Sequence, residues 1–406
     1  MIRLILLTDF TEAFPQYLLQ GILRYAKEKA HEPWVVCRMP LSFKEKCGLE
    51  GVVDWALKWG ANAIIGCFNS NENVTLFAKN GIVAVAQDSY RRFSSIPNLT
   101  SDYIKTGRMA ADFFLEKGFK NFAFCGYHDT VWSDERCEGF RQRVEIAGYA
   151  DHFQSYTQMQ LDTPWFYDSE PLSVWLKSLP LHTALFCCDD CQGNVVTEVC
   201  NYSGIRIPES IAVLGVDNDN TICNLSQLTL SSINLDTERG GYDVAALITK
   251  MMAEPKAQYD DVVIQPTTIV SRTSTNVYAT DDPYLLKALE YIHAHLDNPL
   301  SVGDILKQLP LSRRLLEQRF RAVTGSSIYS YISHCRMEKF ASLLEDSDSP
   351  ISEIAIQMGV NNYGNLTRQF KAIKGCTPTE YRMNIRESND NFPLTILKDD
   401  LLPCKR

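Results

Sequence analysis

The chain has 406 residues, 45% of them hydrophobic and 22% charged, and its 40 Lys and Arg against 49 Asp and Glu give a formal net charge of −9. That is the composition of a globular protein with room for two or three domains, each holding its own core. It excludes a helical membrane protein, because no apolar stretch approaches the roughly 20 residues that span a bilayer. It also excludes a disulfide-stapled miniature: the 13 cysteines are odd in number, lie in apolar stretches such as "NFAFCG" and "TALFCC", and read as core thiols of a reducing compartment.

The opening stretch, "MIRLILLTDF", is apolar only as far as Thr8 and Asp9, too short for a signal peptide, and reads as a buried strand of a cytoplasmic protein. From there to about residue 270, apolar runs ("PWVVC", "NAIIGC", "IVAVAQ", "NFAFCG", "TALFCC", "IAVLGV") alternate with amphipathic stretches at helical spacing. Such alternation predicts parallel sheets built from βαβ units, and ten or more strands predict two of them. Residues 271–283, "SRTSTNVYATDDP", have no apolar periodicity and read as a linker. Beyond them the period is helical, with helices predicted over 284–296, 302–309, 312–324, 327–344, 352–358, 363–374 and 379–385. The fold class is therefore α/β followed by all-α. The last residues, 387–406, fit neither pattern. Charge divides at the same place: residues 1–282 hold 24 Lys and Arg against 35 Asp and Glu, whereas 283–386 hold 13 against 10, a pointer to nucleic acid in the smaller segment.

The helical segment contains a repeat. With Ser312–Gly325 set over Asn362–Gly375, Leu316, Phe320, Val323 and Gly325 fall on Leu366, Phe370, Ile373 and Gly375. Arg313, Arg314, Glu317, Gln318 and Arg321 share the outward face of the first helix, and Tyr363, Thr367, Arg368 and Lys371 that of the second. Each comes after a short helix and a tight turn, "ILKQLPLS" and "IAIQMGVN". One polar helix face is ordinarily a solvated surface. Two copies favour paired helix-turn-helix units, whose second helices enter successive major grooves about 34 Å apart.

The stretch "GVNNYGNLTRQFKAIKGCTPTEYR" resembles the signature of the AraC-type DNA-binding domain, and the resemblance covers about 100 residues, 283–386. It implies base contacts from Arg314, Glu317 and Gln318 in the first unit and from Asn362, Tyr363 and Arg368 in the second, with Arg313 and Lys371 on the same faces. Pro310 stands where the first unit of that family usually has a turn glycine, and Leu306 where it has a small residue.

The front of the chain lacks a Gly-rich phosphate loop, a Gly-x-Gly-x-x-Gly turn and a Gly-x-Ser-x-Gly elbow. What recurs is an aspartate after an apolar strand: Asp9, Asp88, the pair Asp189 and Asp190, and Asp217. Ligands of parallel sheets bind beyond the C-terminal strand ends. Carboxylates there suit a ligand with many hydroxyl donors, and Arg136 in "DERCEGFR" can donate to its oxygens. Each aspartate alone is as readily a helix cap or turn former. Paired carboxylates also serve hydrolysis, which leaves a sugar-processing enzyme with an appended DNA-binding domain as the alternative. No local motif fixes such a pair, so no catalytic residue is named. Cys188-Asp-Asp-Cys191 has neither a second cysteine pair nor a histidine at ligand spacing, so neither metal nor cofactor is expected.

The stretches "VAQDS", "ERCEGFR", "LFCCDD", "IPESIAVLGVDN" and "LSSIN" make residues 1 to about 275 similar to the LacI and periplasmic ribose-binding fold. The resemblance implies two lobes, about 1–103 with 236–262 and about 104–235 with 263–275, and then a linker over 276–282. It implies a sugar held between them by Asp88, Arg136, Asp189 and Asp217, with Asp9 close by and Phe10 and Trp132 stacking on the ring. LacI-type regulators carry their DNA-binding part in front, whereas here it comes behind. That order is similar to a small group of sugar-responsive AraC-type activators. It implies a pentose ligand, D-xylose first, together with operator DNA, contact with RNA polymerase, a homodimer and no membrane attachment.

Overall fold

A computed structural model describes residues 1–29, 33–88, 91–158, 169–225, 228–255, 257–277, 280, 282–346, 349–359 and 363–383. Asn362, expected at a base contact, and the 387–406 tail lie outside the described residues. The chain forms two units, Met1–Val277 and Tyr278–Arg406.

The first unit opens with β1 (Ile2–Leu7), α1 (Ala13–Glu28), β2 (Trp34–Met39), α2 (Leu41–Trp59), β3 (Ala63–Cys67), α3 (Thr75–Lys79), β4 (Val83–Gln87) and β5 (Asn98–Ser101). It crosses into α4 (Tyr103–Glu116), β6 (Asn121–Tyr127), α5 (Val131–Ile146), β7 (Phe153–Gln158), α6 (Ser169–Ser178), β8 (Thr183–Cys187), α7 (Asp190–Ser203), β9 (Ile211–Val216), α8 (Asn220–Cys223) and β10 (Ser231–Leu235). It returns through α9 (Thr237–Ala253) and β11 (Val262–Ile264), then crosses again into β12 (Pro266–Val270). Two six-stranded sheets result, in the orders β11-β5-β4-β3-β1-β2 and β12-β10-β9-β8-β6-β7. Every pairing is parallel except β10 with β12. Strands such as β8 and β9 are buried along their whole length, as parallel strands covered on both faces must be.

Three crossings join the lobes, at Asp102, Asp236 and Gln265, and they are laced together: the Asp102 N–H donates to the Ile264 carbonyl and the Asp236 N–H to the Gln265 carbonyl. Each lobe also holds one helix pair in unusually close contact. A Cβ on Gly107 of α4 would stand 2.1 Å from the Arg136 carbonyl oxygen of α5, and one on Gly139 would stand 2.1 Å from that of Ile104. Gly21 of α1 and Gly241 of α9 meet across the other lobe in the same way, against the Glu238 and Leu18 carbonyls.

The first half of the stretch read as a linker is not one. Ser274 and Thr275 are fully buried; the Ser274 hydroxyl donates to the Val213 carbonyl and accepts from the Ser231 N–H, while Thr275 pairs with the Ser231 hydroxyl. Short hydroxyl side chains satisfied by backbone groups are buried without penalty, so a Ser/Thr-rich stretch can be core.

The second unit contains α10 (Pro283–Ala294), α11 (Val302–Leu306), α12 (Arg313–Thr324), α13 (Ile328–Asp346), α14 (Ile351–Gln357) and α15 (Tyr363–Lys374), then a helical turn at 378–383. It has two small cores that share α13, one built on Leu316 and Phe320, the other on Leu366 and Phe370. α11 ends at Leu306, short of the predicted 309; Pro310 disfavours helical geometry at Leu309 and so bars the helix from reaching that residue. The repeat extends beyond the residues that sequence alone aligns. α12 and α15 both stop at a left-handed glycine, Gly325 (φ 70°) and Gly375 (φ 79°). Ser327 and Thr377 then cap the next helical turns, and Tyr331 and Tyr381 set their rings edge-on to Phe320 and Phe370 at 5.3 and 5.4 Å.

Gly139→Ala should push α4 and α5 apart. Overpacking of this kind costs about 1–3 kcal/mol, so the variant's first urea-unfolding midpoint is expected to drop. An unchanged midpoint would mean that the helices separate freely.

Candidate functional site

Residues beyond the C-terminal strand ends of the two lobes meet, Arg92 pairing with Glu135 and Tyr103 lying between Asp88 and Arg136, and they define a candidate cleft. From the first lobe, Asp88 comes directly after β4 and is 4% exposed. It accepts from the Thr100 hydroxyl at 2.6 Å and the Tyr103 hydroxyl at 2.8 Å, and the Arg92 Nε stands 3.3 Å away. Burial raises its pKa, against which the two hydroxyls and Arg92 hold it down.

From the second lobe comes Arg136, on α5 and 3% exposed. Its Nη1 donates to the Cys188 carbonyl and its Nη2 lies 3.6 Å from Asp217 Oδ1. The guanidinium sits over the rings of Tyr103 and Trp132, at 5.2 and 5.5 Å from their centroids. Its Nε is buried with no partner among the described residues, an unsatisfied donor at the heart of the charge network. Asp217 occupies a left-handed backbone conformation, φ 97°, beyond the end of β9. Non-glycine residues rarely adopt it, and where they do the surroundings impose it. Burial raises the Asp217 pKa, and Arg136 opposes the rise.

Asp189 caps α7, accepting from the Gln192 N–H at 2.6 Å, and burial pushes its carboxyl up to about 6. The neighbouring Asp190 turns the other way. It is 2% exposed, accepts from the Asp219 N–H at 2.8 Å and lies 3.4 Å from the Cys223 thiol, so it braces the turn after β9. Trp132 belongs to the cleft wall, edge-on to Tyr127. Asp9 and Phe10 are occupied differently: Asp9 accepts from the Thr11 N–H and hydroxyl in a local turn, and Phe10 packs beneath the Arg38 guanidinium of β2, 5.4 Å away.

Sequence reasoning misses Tyr103, Arg92, Glu135 and Glu12. Glu12 holds the N-cap position of α1 without capping it. Glu12 as a whole is exposed, yet crowding by surrounding protein, and after it the charges of Asp189, Asp217, Asp9 and Asp219, push its carboxyl up to about 8. Three of these neighbours belong to the opposite lobe, which places Glu12 at the mouth of the cleft. A polar residue within the first "TDFTE" turn is the signal that could have found it.

In the second unit, α12 presents Arg313, Arg314, Gln318 and Arg321 outward, with Leu316 and Phe320 buried beneath. Glu317 is half-buried, and its carboxylate accepts from the Ile328 N–H at the start of α13, so part of its hydrogen-bonding capacity is spent within the fold. On α15, Tyr363, Arg368 and Lys371 are exposed, whereas the Thr367 hydroxyl donates back to the Tyr363 carbonyl. The closing Tyr-Arg of the signature is structural: Tyr381 packs on Phe370, and Arg382 donates to the Leu344 and Ser349 carbonyls. Among the described residues, no helix is long and apolar enough to cross a membrane.

A two-lobed α/β unit with a polar cleft, joined to paired helix-turn-helix units, defines a DNA-binding regulator with a ligand-binding domain. Residues 111–275 match the periplasmic binding protein-like domain and residues 305–384 a helix-turn-helix domain. The xylose operon regulatory protein of Haemophilus influenzae is 31% identical over 330 residues, covering 80% of this chain and 85% of that one. Its Escherichia coli K12 counterpart is 27% identical over 392 residues, 94% of this chain and 96% of that one. In fold, the chain is similar to a solved xylose-binding transcription activator, with a TM-score of 0.65 and 24% identity over 94% of this chain and 98% of that one. The chain belongs to the family of xylose operon regulatory proteins.

Glu12 yields a pH test. With its pKa raised to about 8, Glu12 would hold a proton in the folded chain that the unfolded chain, titrating near 4.5, has released, so stability should fall as pH rises between about 5 and 8, by an amount that the solvent exposure of Glu12 keeps small. Glu12→Gln removes this dependence. Its melting temperature relative to the parent should rise steadily from pH 5 to pH 8.5, and parallel curves would show that Glu12 titrates as an ordinary surface carboxylate.

Proposed function

We propose that the chain activates transcription of sugar-utilisation genes by closing its two-lobed unit on a pentose, D-xylose foremost, and binding operator DNA through α12 and α15. The observation that carries this reading is the convergence at the cleft of Asp88 from one lobe with Arg136 and Asp217 from the other, the Arg136 Nε still unpartnered among the described residues. Carboxylates accept from sugar hydroxyls, a guanidinium donates to sugar oxygens, and the face of Trp132 suits the C–H surface of a pyranose. The names of the relatives support xylose as the ligand and regulation as the role. Residues 1–275 act as the sensor, 276–282 as the connection and 283–386 as the DNA-binding part, in a cytoplasmic homodimer that contacts RNA polymerase.

D-xylose at 100 times its dissociation constant should stabilise the sensor by about 2.7 kcal/mol. Arg136→Ala and Asp217→Ala should each weaken binding at least 30-fold or so in calorimetric titration, because each leaves a buried charge unpaired. Chemical conversion of the bound sugar would instead favour a sugar-processing enzyme.

On the DNA side, Arg368 stands mid-face on α15 and is assigned to a base, with Lys371, one turn on, assigned to phosphate. Arg368→Ala should relax preference at one operator position by roughly 1–3 kcal/mol, whereas Lys371→Ala should weaken all sequences alike and lower the salt slope by about one. Uniform loss from Arg368→Ala would contradict its assignment.

A further inference from the structure

Resting on the reading of the cleft as a sugar site, we propose that Arg92 and Glu135 are its positioning residues: a two-pronged ion pair that ties the lobes together and fixes Asp88 and Arg136 opposite one another before a ligand arrives. Arg92 lies in the loop between β4 and β5 of the first lobe, and Glu135 immediately precedes Arg136 on α5 of the second. Arg92 Nη1 donates to Glu135 Oε1 and Nη2 to Oε2, both at 2.7 Å, so the contact is a planar fork on both sides. The same guanidinium donates to the Thr100 hydroxyl and reaches Asp88, the residue that this hydroxyl and Tyr103 hold in place. The donors of Arg92 are thus directed at protein groups rather than into the cleft, which makes it a positioning group and not a ligand contact.

An ion pair spanning two lobes favours their closed arrangement by its own free energy, whatever lies between them. The apparent affinity of a ligand scales with the fraction of molecules already competent to bind. The pair is about one-third exposed on each side, 36% for Arg92 and 32% for Glu135. Salt therefore screens it. Its signature is binding of an uncharged sugar that weakens as salt is added.

The test uses the full chain. D-xylose is titrated calorimetrically at low and high salt into the parent, Glu135→Ala, Glu135→Gln and the Arg92→Ala/Glu135→Ala double variant. In parallel, the distance between spin labels placed at the exposed positions Lys58 and Lys177, one on each lobe, is measured without sugar. Glu135→Ala should weaken D-xylose binding about 2- to 5-fold and abolish its salt dependence. Glu135→Gln, which keeps shape and an acceptor, should fall between the parent and Glu135→Ala. In both variants the label distances should extend to longer values. A Glu135→Ala chain with parental affinity, salt dependence and label distances overturns the proposal. If the parent does not bind D-xylose, the sugar-site reading fails, and the label distances alone decide the clasp.

Discussion

The cleft depends on one guanidinium. Burial raises the pKa of Asp88, Asp189 and Asp217, and Arg136 is the opposing positive charge beside the last of these. It is held by a carbonyl of the β8–α7 junction and by the rings of Tyr103 and Trp132, and its backbone is fixed against α4 through Gly107. Helix packing, the crossing point at Tyr103 and the charge pattern of the site are thus one arrangement. The carboxylates of this network can accept from hydroxyl donors, while the Arg136 guanidinium offers donors to an oxygen.

The second unit obeys a different constraint, the duplication of a small core. Leu316 and Phe320, then Leu366 and Phe370, bury the inner faces of α12 and α15, so the outer faces are left to polar residues. Because the same glycine stop, hydroxyl cap and edge-on tyrosine come after both helices, the two recognition faces are built alike although their side chains differ. Difference in side chains on equal frames is what reading two different half-sites requires.

Elements whose signal is local are legible in the sequence. Buried parallel strands show as apolar runs, and the spacing of α15 marks both its ends to the residue. β5 and β7 do not show: "NLTS" is polar yet buried, its Asn98 side chain accepting from the Phe93 N–H and donating to Asp261, while "FQSYTQ" is an edge strand without an apolar run. The strand-end aspartates are visible as a set, but adjacency cannot separate Asp189, which caps a helix, from Asp190, which braces the next loop. Tyr103 and Arg92 escape a linear reading because the partners that give them their roles, Asp88 and Glu135, lie 15 and 43 residues away. The Ser/Thr-rich stretch at 271–275 misleads for the same reason, since its hydroxyls are satisfied by strands far along the chain.

If cleft and recognition helices are coupled, a ligand favouring the closed lobes changes affinity for DNA. Such couplings are typically about 1–3 kcal/mol, or roughly 5- to 150-fold, and are reciprocal. The most direct measurement is titration of operator DNA with the full chain at fixed salt, without and with saturating D-xylose, alongside D-xylose titration without and with operator. Coupling of the proposed kind gives tighter operator binding with sugar, and tighter sugar binding with operator by the same factor. Identical operator affinities in a chain that demonstrably binds D-xylose would contradict it.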